Sequence, residues 1–302
     1  MKTIKEQQKI TPFLWFDDQA EEAINFYVSL FPNSKINSMK RWPEGGPFPS
    51  HTIQTGSFDL NGVTFHAFDA GPQFQLNPSI SFFALFKTKE EVDNVWERLS
   101  DGGRILMPLD SYPWSEHYGW VTDRFGVSWQ LMQGNPNDVD QSIAPLLMFS
   151  GNQQGNAEKA IHQYISVFSD SSLEGVSRYE ANEPGPEGMV KHAQFTLAGQ
   201  TFMAMDNGTD TDIPFNEAIS LFVNCKDQKE VDYFWNELIK DGGSESQCGW
   251  LKDKYGVSWQ IVPEFLLKKV AHGEPARIQN MMSALYTMQK LDVQQLEAAY
   301  NK

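Results

Sequence analysis

Cysteine is scarce: the 302 residues contain two, Cys225 and Cys248, with no clustered histidines beside them. That excludes a disulfide-stapled scaffold and a zinc finger, and both thiols are read as reduced. Positive charge is scarce too, with 24 Lys and Arg against 39 Asp and Glu and a net charge of −15. Such a field repels phosphate backbones, so no nucleic-acid partner is expected. Long apolar runs are missing: Phe82-Phe83-Ala84-Leu85-Phe86 is far short of a membrane span, and Met1 to Thr11 is polar with no apolar h-region. The expectation is a cytoplasmic protein with no membrane partner. What is abundant is apolar and aromatic side chain, 40% and 13% of residues, which excludes a disordered chain. At roughly 150 residues per domain the length corresponds to two domains.

The sequence repeats itself. Gly119-Trp120-Val121-Thr122-Asp123-Arg124-Phe125-Gly126-Val127-Ser128-Trp129-Gln130 returns as Gly249-Trp250-Leu251-Lys252-Asp253-Lys254-Tyr255-Gly256-Val257-Ser258-Trp259-Gln260. Upstream, Glu91-Val92-Asp93 with Trp96 and Leu99 matches Glu230-Val231-Asp232 with Trp235 and Leu238, and Thr11–Phe16 matches Ala144–Phe149. This self-similarity predicts a first domain over 1–140, a second over 141–270, and a C-terminal helical tail over 271–302 without a counterpart.

Periodicity predicts the elements of one repeat. Ile10–Phe16 reads as a short apolar strand. Ala20, Ala23, Ile24, Tyr27, Leu30 and Phe31 recur at three and four as one helix face, stopped by Pro32-Asn33. Strands follow over Lys35–Trp42, Thr52–Leu60 and Val63–Asp69, the last two joined by Asn61-Gly62, a turn pair that accepts positive φ. Ser79–Phe86 is a further strand, Val92, Val95, Trp96 and Leu99 a second helix, and Gly119–Thr122 with Val127–Met132 a closing hairpin. The order is strand, helix and about three strands, used twice per repeat. It predicts an α+β chain of tandem domains, each made of two βαβββ modules whose curved mixed sheets carry helices on one face and enclose a pocket with the other.

Thr11–Phe16 followed by Ala20-Glu21-Glu22-Ala23 and Phe26-Tyr27 resembles the opening of the vicinal oxygen chelate superfamily, the glyoxalase and bleomycin-resistance proteins. Asn77–Phe82, its partial copy Phe215–Ser220, and the Asp-Arg/Lys-Phe/Tyr-Gly-Val-Ser-Trp-Gln block are similar to the PhnB-like branch, often labelled demethylubiquinone 3-methyltransferase. The resemblance implies glyoxalase-like domains, and a pseudo-dimer within one chain, with a homodimer left open. It also implies places for metal ligands. Matched to this chain, these fall on Pro12 and Pro145, near Ser57 and on Gln194, within Ser79–Phe83 and Ile219–Val223, and on Gln130 and Gln260. None offers a His or a carboxylate, so no metal and no cofactor is expected. The methyltransferase label is not expected to describe the activity, because neither repeat has a Gly-rich turn after a first parallel strand.

The pocket expected instead is apolar with isolated amides. If Gln130 takes the inward ligand position, Trp129 packs outward under the helices. The phase set by Pro12 and Pro145 puts Leu14, Phe16, Leu147 and Phe149 inward as well. Ser57, His66 and its match Met203, Asp69, Asp206, Gln194 and Gln260 complete the pocket candidates, with plain sheet packing the alternative for His66. The turn-rich segment at Trp42 and the longer 103–119 segment, with Tyr112, Trp114, His117 and Tyr118, are candidate lids or loop packing. Ile278, Met281, Met282, Leu285, Met288, Leu291 and Leu296 predict a helical tail that braces the domains or a partner, with Asp292 capping a final turn. The function expected is metal-independent binding of a small, partly apolar molecule. The alternative is an enzyme of lyase, isomerase or dioxygenase type, with metal if the ligands lie elsewhere.

Overall fold

The stripe Ala20, Ala23, Ile24, Tyr27 and Leu30 is the buried face of helix α1 (Ala20–Leu30), and Pro32 follows its end, where Phe31 is already extended. The computed structural model describes residues 8–135 and 141–302; the leader reading for Met1–Gln7 and the repeat boundary at 140 lie outside the described residues. Around α1 the first module contains β1 (Ile10–Phe16), β2 (Lys35–Arg41), β3 (Ile53–Leu60) and β4 (Val63–Asp69). The second has β5 (Ile80–Phe86), α2 (Lys89–Ser100), β6 (Arg104–Tyr112), β7 (Ser115–Thr122) and β8 (Ser128–Gln133). In the third are β9 (Ile143–Phe149), α3 (Ala157–Val167), β10 (Ser172–Arg178), β11 (Val190–Leu197) and β12 (Gln200–Asp206). The fourth holds β13 (Ile219–Cys225), α4 (Gln228–Ile239), β14 (Ser244–Glu245), β15 (Trp250–Lys252) and β16 (Ser258–Pro263). Helices α5 (Glu264–His272), α6 (Pro275–Leu285) and α7 (Val293–Tyr300) form the tail. The βαβββ order is therefore realised four times.

Local chemistry explains the boundaries. Thr88 and Glu91 form a reciprocal capping box that starts α2, and Asp227 accepts the Glu230 N–H to start α4. Asn61 and Gly62 have φ of 45° and 85°, the left-handed pair that a two-residue hairpin turn needs between β3 and β4. The block repeated at 123 and 253 is a hydrogen-bonded knot. Asp123 accepts from Phe125 N and Val127 N at 2.8 and 3.0 Å, and from the Tyr27 hydroxyl and Trp129 indole at 2.8 and 2.9 Å. Asp253 repeats the pattern with Tyr255 N, Val257 N and the Trp259 indole. Burial pushes the Asp123 carboxyl up to about 6, while the donors around it pull the other way.

The chain forms two compact units: one of the chain up to Thr11 with Ser220–Lys302, the other of Pro12–Ile219. In the larger unit an eight-stranded mixed sheet runs β10-β11-β12-β9-β5-β8-β7-β6, and β1-β4-β3-β2 make a second layer. At the centre of the eight-stranded sheet β5 and β9 pair antiparallel, Phe82 opposite Pro145. That sheet joins the second module of the first repeat to the first module of the second, so repeats along the chain and layers in space divide the protein differently. In the smaller unit the order is β14-β15-β16-β13, and Asn224 N on β13 donates to Lys9 O at 3.0 Å. The tail packs on α4: Gln228 donates to Leu291 O, Val293 N donates to Gln228 Oε1, and Lys290 pairs with Asp232. Asp292 caps α7 through Gln295 N at 2.9 Å, as its position predicts. No helix among the described residues is long and apolar enough to cross a membrane.

Candidate functional site

The eight-stranded sheet has helices α2 and α3 on one face and a buried apolar cluster, here called the basin, on the other. Alternation along the strands creates it. Phe83 on β5, Tyr118 on β7, Ala144, Leu146 and Met148 on β9, and Met203 on β12 form one buried cluster. Leu85, Met107, Tyr112, Trp120, Met132, Met205 and Ile213 pack against it. Five of the chain's 11 methionines stand here, an unbranched and polarisable lining that adapts to a guest's shape.

One polar chain crosses this apolar floor. Gln130, paired across β8 with Phe83, accepts the Tyr118 hydroxyl on Oε1 at 2.7 Å and donates from Nε2 to Ser81 Oγ at 2.9 Å. All three residues are buried. Burial raises the pKa of Tyr118, and it lowers that of His192, whose ring lies 6.5 Å from that of Phe83. Trp129, one residue along, is fully buried on the helix side and packs against Tyr27 of α1. The opposition of Gln130 and Trp129 is thus as the sequence predicts.

The tip of the β6–β7 hairpin stands beside the basin. Tyr112 stacks on Trp114 at 5.1 Å, and Trp114 meets Tyr118 edge-to-face at 5.8 Å. Lys191 of β11 lies 5.8 Å over the Trp114 ring and pairs with Glu183, so a segment from the second repeat steadies the tip. Trp114 is nevertheless 50% exposed.

Several predicted residues lie elsewhere. Leu14, Phe16, Leu147 and Phe149 are buried, but alternation sets them opposite the basin face; Leu146 and Met148 line the basin instead. The phase set by Pro12 and Pro145 is one residue out. Asp69 and Asp206 do not reach the basin either. Asp69 accepts Ala20 N and Ile53 N at 2.8 and 2.7 Å, and Asp206 accepts Gly155 N, Ala157 N and Val190 N, so each ties its strand to a helix start. Trp42 is no lid: it is buried and its indole donates to Asp69 O. His117 is also buried, 2.6 Å from Asp93 of α2. The 103–119 segment is not a loop but the hairpin β6–β7, whose three register shifts break the alternation that would reveal a strand.

The remaining candidates do face away from the helices. Met203 is in the basin, with Gln194 opposite it on β11, its amide held by Glu174. Ser57 and His66 are cross-strand neighbours on β3 and β4. His66 meets Phe13 edge-on at 6.1 Å, and Phe13 and Trp15 both meet Phe68 at about the van der Waals limit, 4.9 and 4.8 Å between centroids. Gln260 donates to Ser220 at 2.9 Å in the smaller unit. Tyr118 belongs to the site and not to a lid, and its spacing of two from Trp120, which puts both on one strand face, is the sequence signal for it.

A divalent ion needs charged or imidazole donors that converge. On the basin face the Gln130 and Gln194 amides are already bonded, and among the described residues no three His, Cys, Asp or Glu gather into a metal-binding group. The residues described on this face do not fit the metal that the resemblance implies.

Tandem βαβββ modules with one helix-free sheet face define a glyoxalase-like fold, as the motifs predict. More narrowly, the chain belongs to the family described as 3-demethylubiquinone-9 3-methyltransferase, whose model matches residues 8–132 and again 141–262. A PhnB protein structure from Bacillus cereus is 46% identical, covering 42% of this chain and 100% of that one with a TM-score of 0.41. Protein YjdN of Escherichia coli is 26% identical over 40% of this chain and 92% of its own length. Glyoxalase I from Zea mays, 11% identical with a TM-score of 0.58, covers 88% of this chain and 97% of that one, a likeness of fold.

Proposed function

We propose that the basin of the eight-stranded sheet binds a small, partly apolar molecule without a metal ion. The observation that carries this reading is the buried Tyr118–Gln130–Ser81 chain set in a floor of aromatic rings and thioethers. Apolar surroundings with a few placed polar groups are the usual make-up of a small-molecule site: the first supplies affinity and the second orientation. Methyl transfer, named in the family description, is not the reading drawn. The link from first strand to helix is Asp17-Asp18-Gln19 in one repeat and Ser150–Asn156, with Gly151 and Gly155, in the other, and neither has the G-x-G-x-x-G spacing of a cofactor-receiving turn.

A thermal-shift screen of planar and aliphatic fragments tests it. At least one compound is expected to raise the melting temperature of the wild type and of Gln260→Leu, and to lose that effect in Met203→Trp, where the indole fills the floor. The reading fails if no compound stabilises the wild type, or if Met203→Trp responds equally.

A further inference from the structure

The direction of the hydrogen bonds in the basin decides which group is left for a ligand. Tyr118 has a single proton, and it goes to Gln130 Oε1 at 2.7 Å, while Gln130 Nε2 donates to Ser81 Oγ at 2.9 Å. A phenol oxygen whose proton is committed keeps lone pairs and offers no donor. Two neighbouring aromatic donors are committed as well, while the His192 ring N–H and the Ser81 hydroxyl proton are separate donors that leave the phenol oxygen's role unchanged. The Trp120 indole gives its N–H to Ser128 Oγ at 2.7 Å, and Tyr112 gives its hydroxyl to Pro108 O at 2.9 Å. Phe83, Leu146, Met148 and Met203 carry no strong donor. Burial holds Tyr118 in its neutral form, so the group in question is a phenol oxygen and not a phenolate.

We infer, on the basis of the small-molecule reading above, that the basin selects planar apolar molecules bearing a hydroxyl or N–H group, which Tyr118 Oη receives as acceptor. Tyr118 is the specificity-determining residue. Gln130 is a positioning residue: by taking the phenol proton it fixes Tyr118 as an acceptor. The way in is at the hairpin tip, where Trp114 is half exposed and rests edge-on against Tyr118; a ligand ring displaces it and takes over the contact with the phenol. An unmatched buried acceptor costs more than a missing attraction, because the phenol oxygen loses water and gains nothing. A molecule of the same shape without a donor is therefore rejected. The second repeat has Cys248 where the first has Tyr118, so the aligned position there has no phenol to make this selection.

Titration of the full chain with 1-naphthol and with 1-methoxynaphthalene, which differ by the donor, tests the inference by calorimetry or tryptophan quenching. The wild type is expected to bind 1-naphthol at least about tenfold more tightly than the ether. Tyr118→Phe should bring the two within about twofold by weakening 1-naphthol alone. Gln130→Leu, which returns the phenol proton to the basin, should shrink or reverse the preference while the protein still melts cooperatively. Equal binding of both probes by the wild type, or a preference that survives Tyr118→Phe, overturns the donor selection and leaves small-molecule binding standing. Binding of neither probe overturns it too, and the fragment screen then decides separately whether the basin binds anything.

Discussion

The last module of each repeat closes on nearly the same twelve residues, set in different surroundings. In the first repeat the strand before Gly119-Trp120 belongs to a long hairpin: β6 and β7 pair from Arg104 opposite Thr122 to Tyr112 opposite Ser115. This hairpin brings Tyr118 to Gln130 and Trp114 to Tyr118. In the second repeat the corresponding hairpin is cut short to β14 and β15, two and three residues long. The tail closes the edge instead. Cys248 N donates to Met288 O at 2.7 Å, Gly249 N to Gln289 O at 2.8 Å, and a Cβ on Gly249 would come within 3.1 Å of the Leu291 side chain. Cys248 adopts a left-handed φ of 62° to make this connection. The shared block, with its Asp, Trp and Gln, builds the scaffold in both copies, and what precedes it decides whether the Gln faces a phenol. A duplicated core can thus keep its packing while its sites diverge, because the packing residues and the site residues alternate on one strand and change independently.

This contrast can be tested from its common part outward. Asp123→Ala should show the largest effect, about 3–5 kcal/mol by urea unfolding, since it leaves the buried Tyr27 hydroxyl, the Trp129 indole and two backbone N–H groups without their acceptor. Asp253→Ala is expected to cost a similar amount if the knot is truly shared, and a loss below about 1 kcal/mol in either copy contradicts that. Next, Leu291→Ala should cost about 2–4 kcal/mol, because Leu291 is fully buried against the strand edge that only the second copy leaves to the tail. Trp114→Ala, at the exposed tip of the first copy's hairpin, should change stability by less than about 1 kcal/mol. Similar losses for the two would mean that the hairpin and the tail brace are equivalent.

His66 and its match Met203 separate the copies by pH. Burial lowers His66 to about 4, so the native state resists protonation that the unfolded chain accepts near 6.5. The unfolded state then binds more protons between those values. Stability from this group is complete above about pH 6.5 and is lost as pH falls toward 4, by up to about 3 kcal/mol. His66→Phe should flatten the wild-type slope in that window, measured as the difference between the two unfolding curves, whereas Met203→Leu should leave it unchanged. The smallest effect belongs to the hairpin turns. Ala198-Gly199 stands where the first repeat has Asn61-Gly62, and Ala198 holds a φ of 49° that Asn tolerates better. Ala198→Asn should raise stability by about 0.5 kcal/mol, seen as a higher melting temperature; a decrease would show that the two turns are not interchangeable.

The sequence by itself determined the module order, the duplication, the helix faces and the opposition of Gln130 to Trp129. These are local matters: a period of two or 3.6, a cap or an Asn-Gly pair acts within a few residues of itself. It could not fix the phase of β1 and β9, because Ile143–Phe149 is buried on both faces and an all-apolar strand shows no alternation to read. Leu147 and Leu146 are indistinguishable on paper; only their neighbours across β5 and β12 decide which one meets Met203. The roles of Asp69 and Asp206 are equally invisible locally, since the N–H groups that claim them belong to residues 16 to 51 positions away. Tertiary structure alone decided that the second module of one repeat shares a sheet with the first module of the next, and so which amide, phenol and thioethers meet. Strand pairing is specified by contacts between distant segments, and those energies are absent from any local pattern.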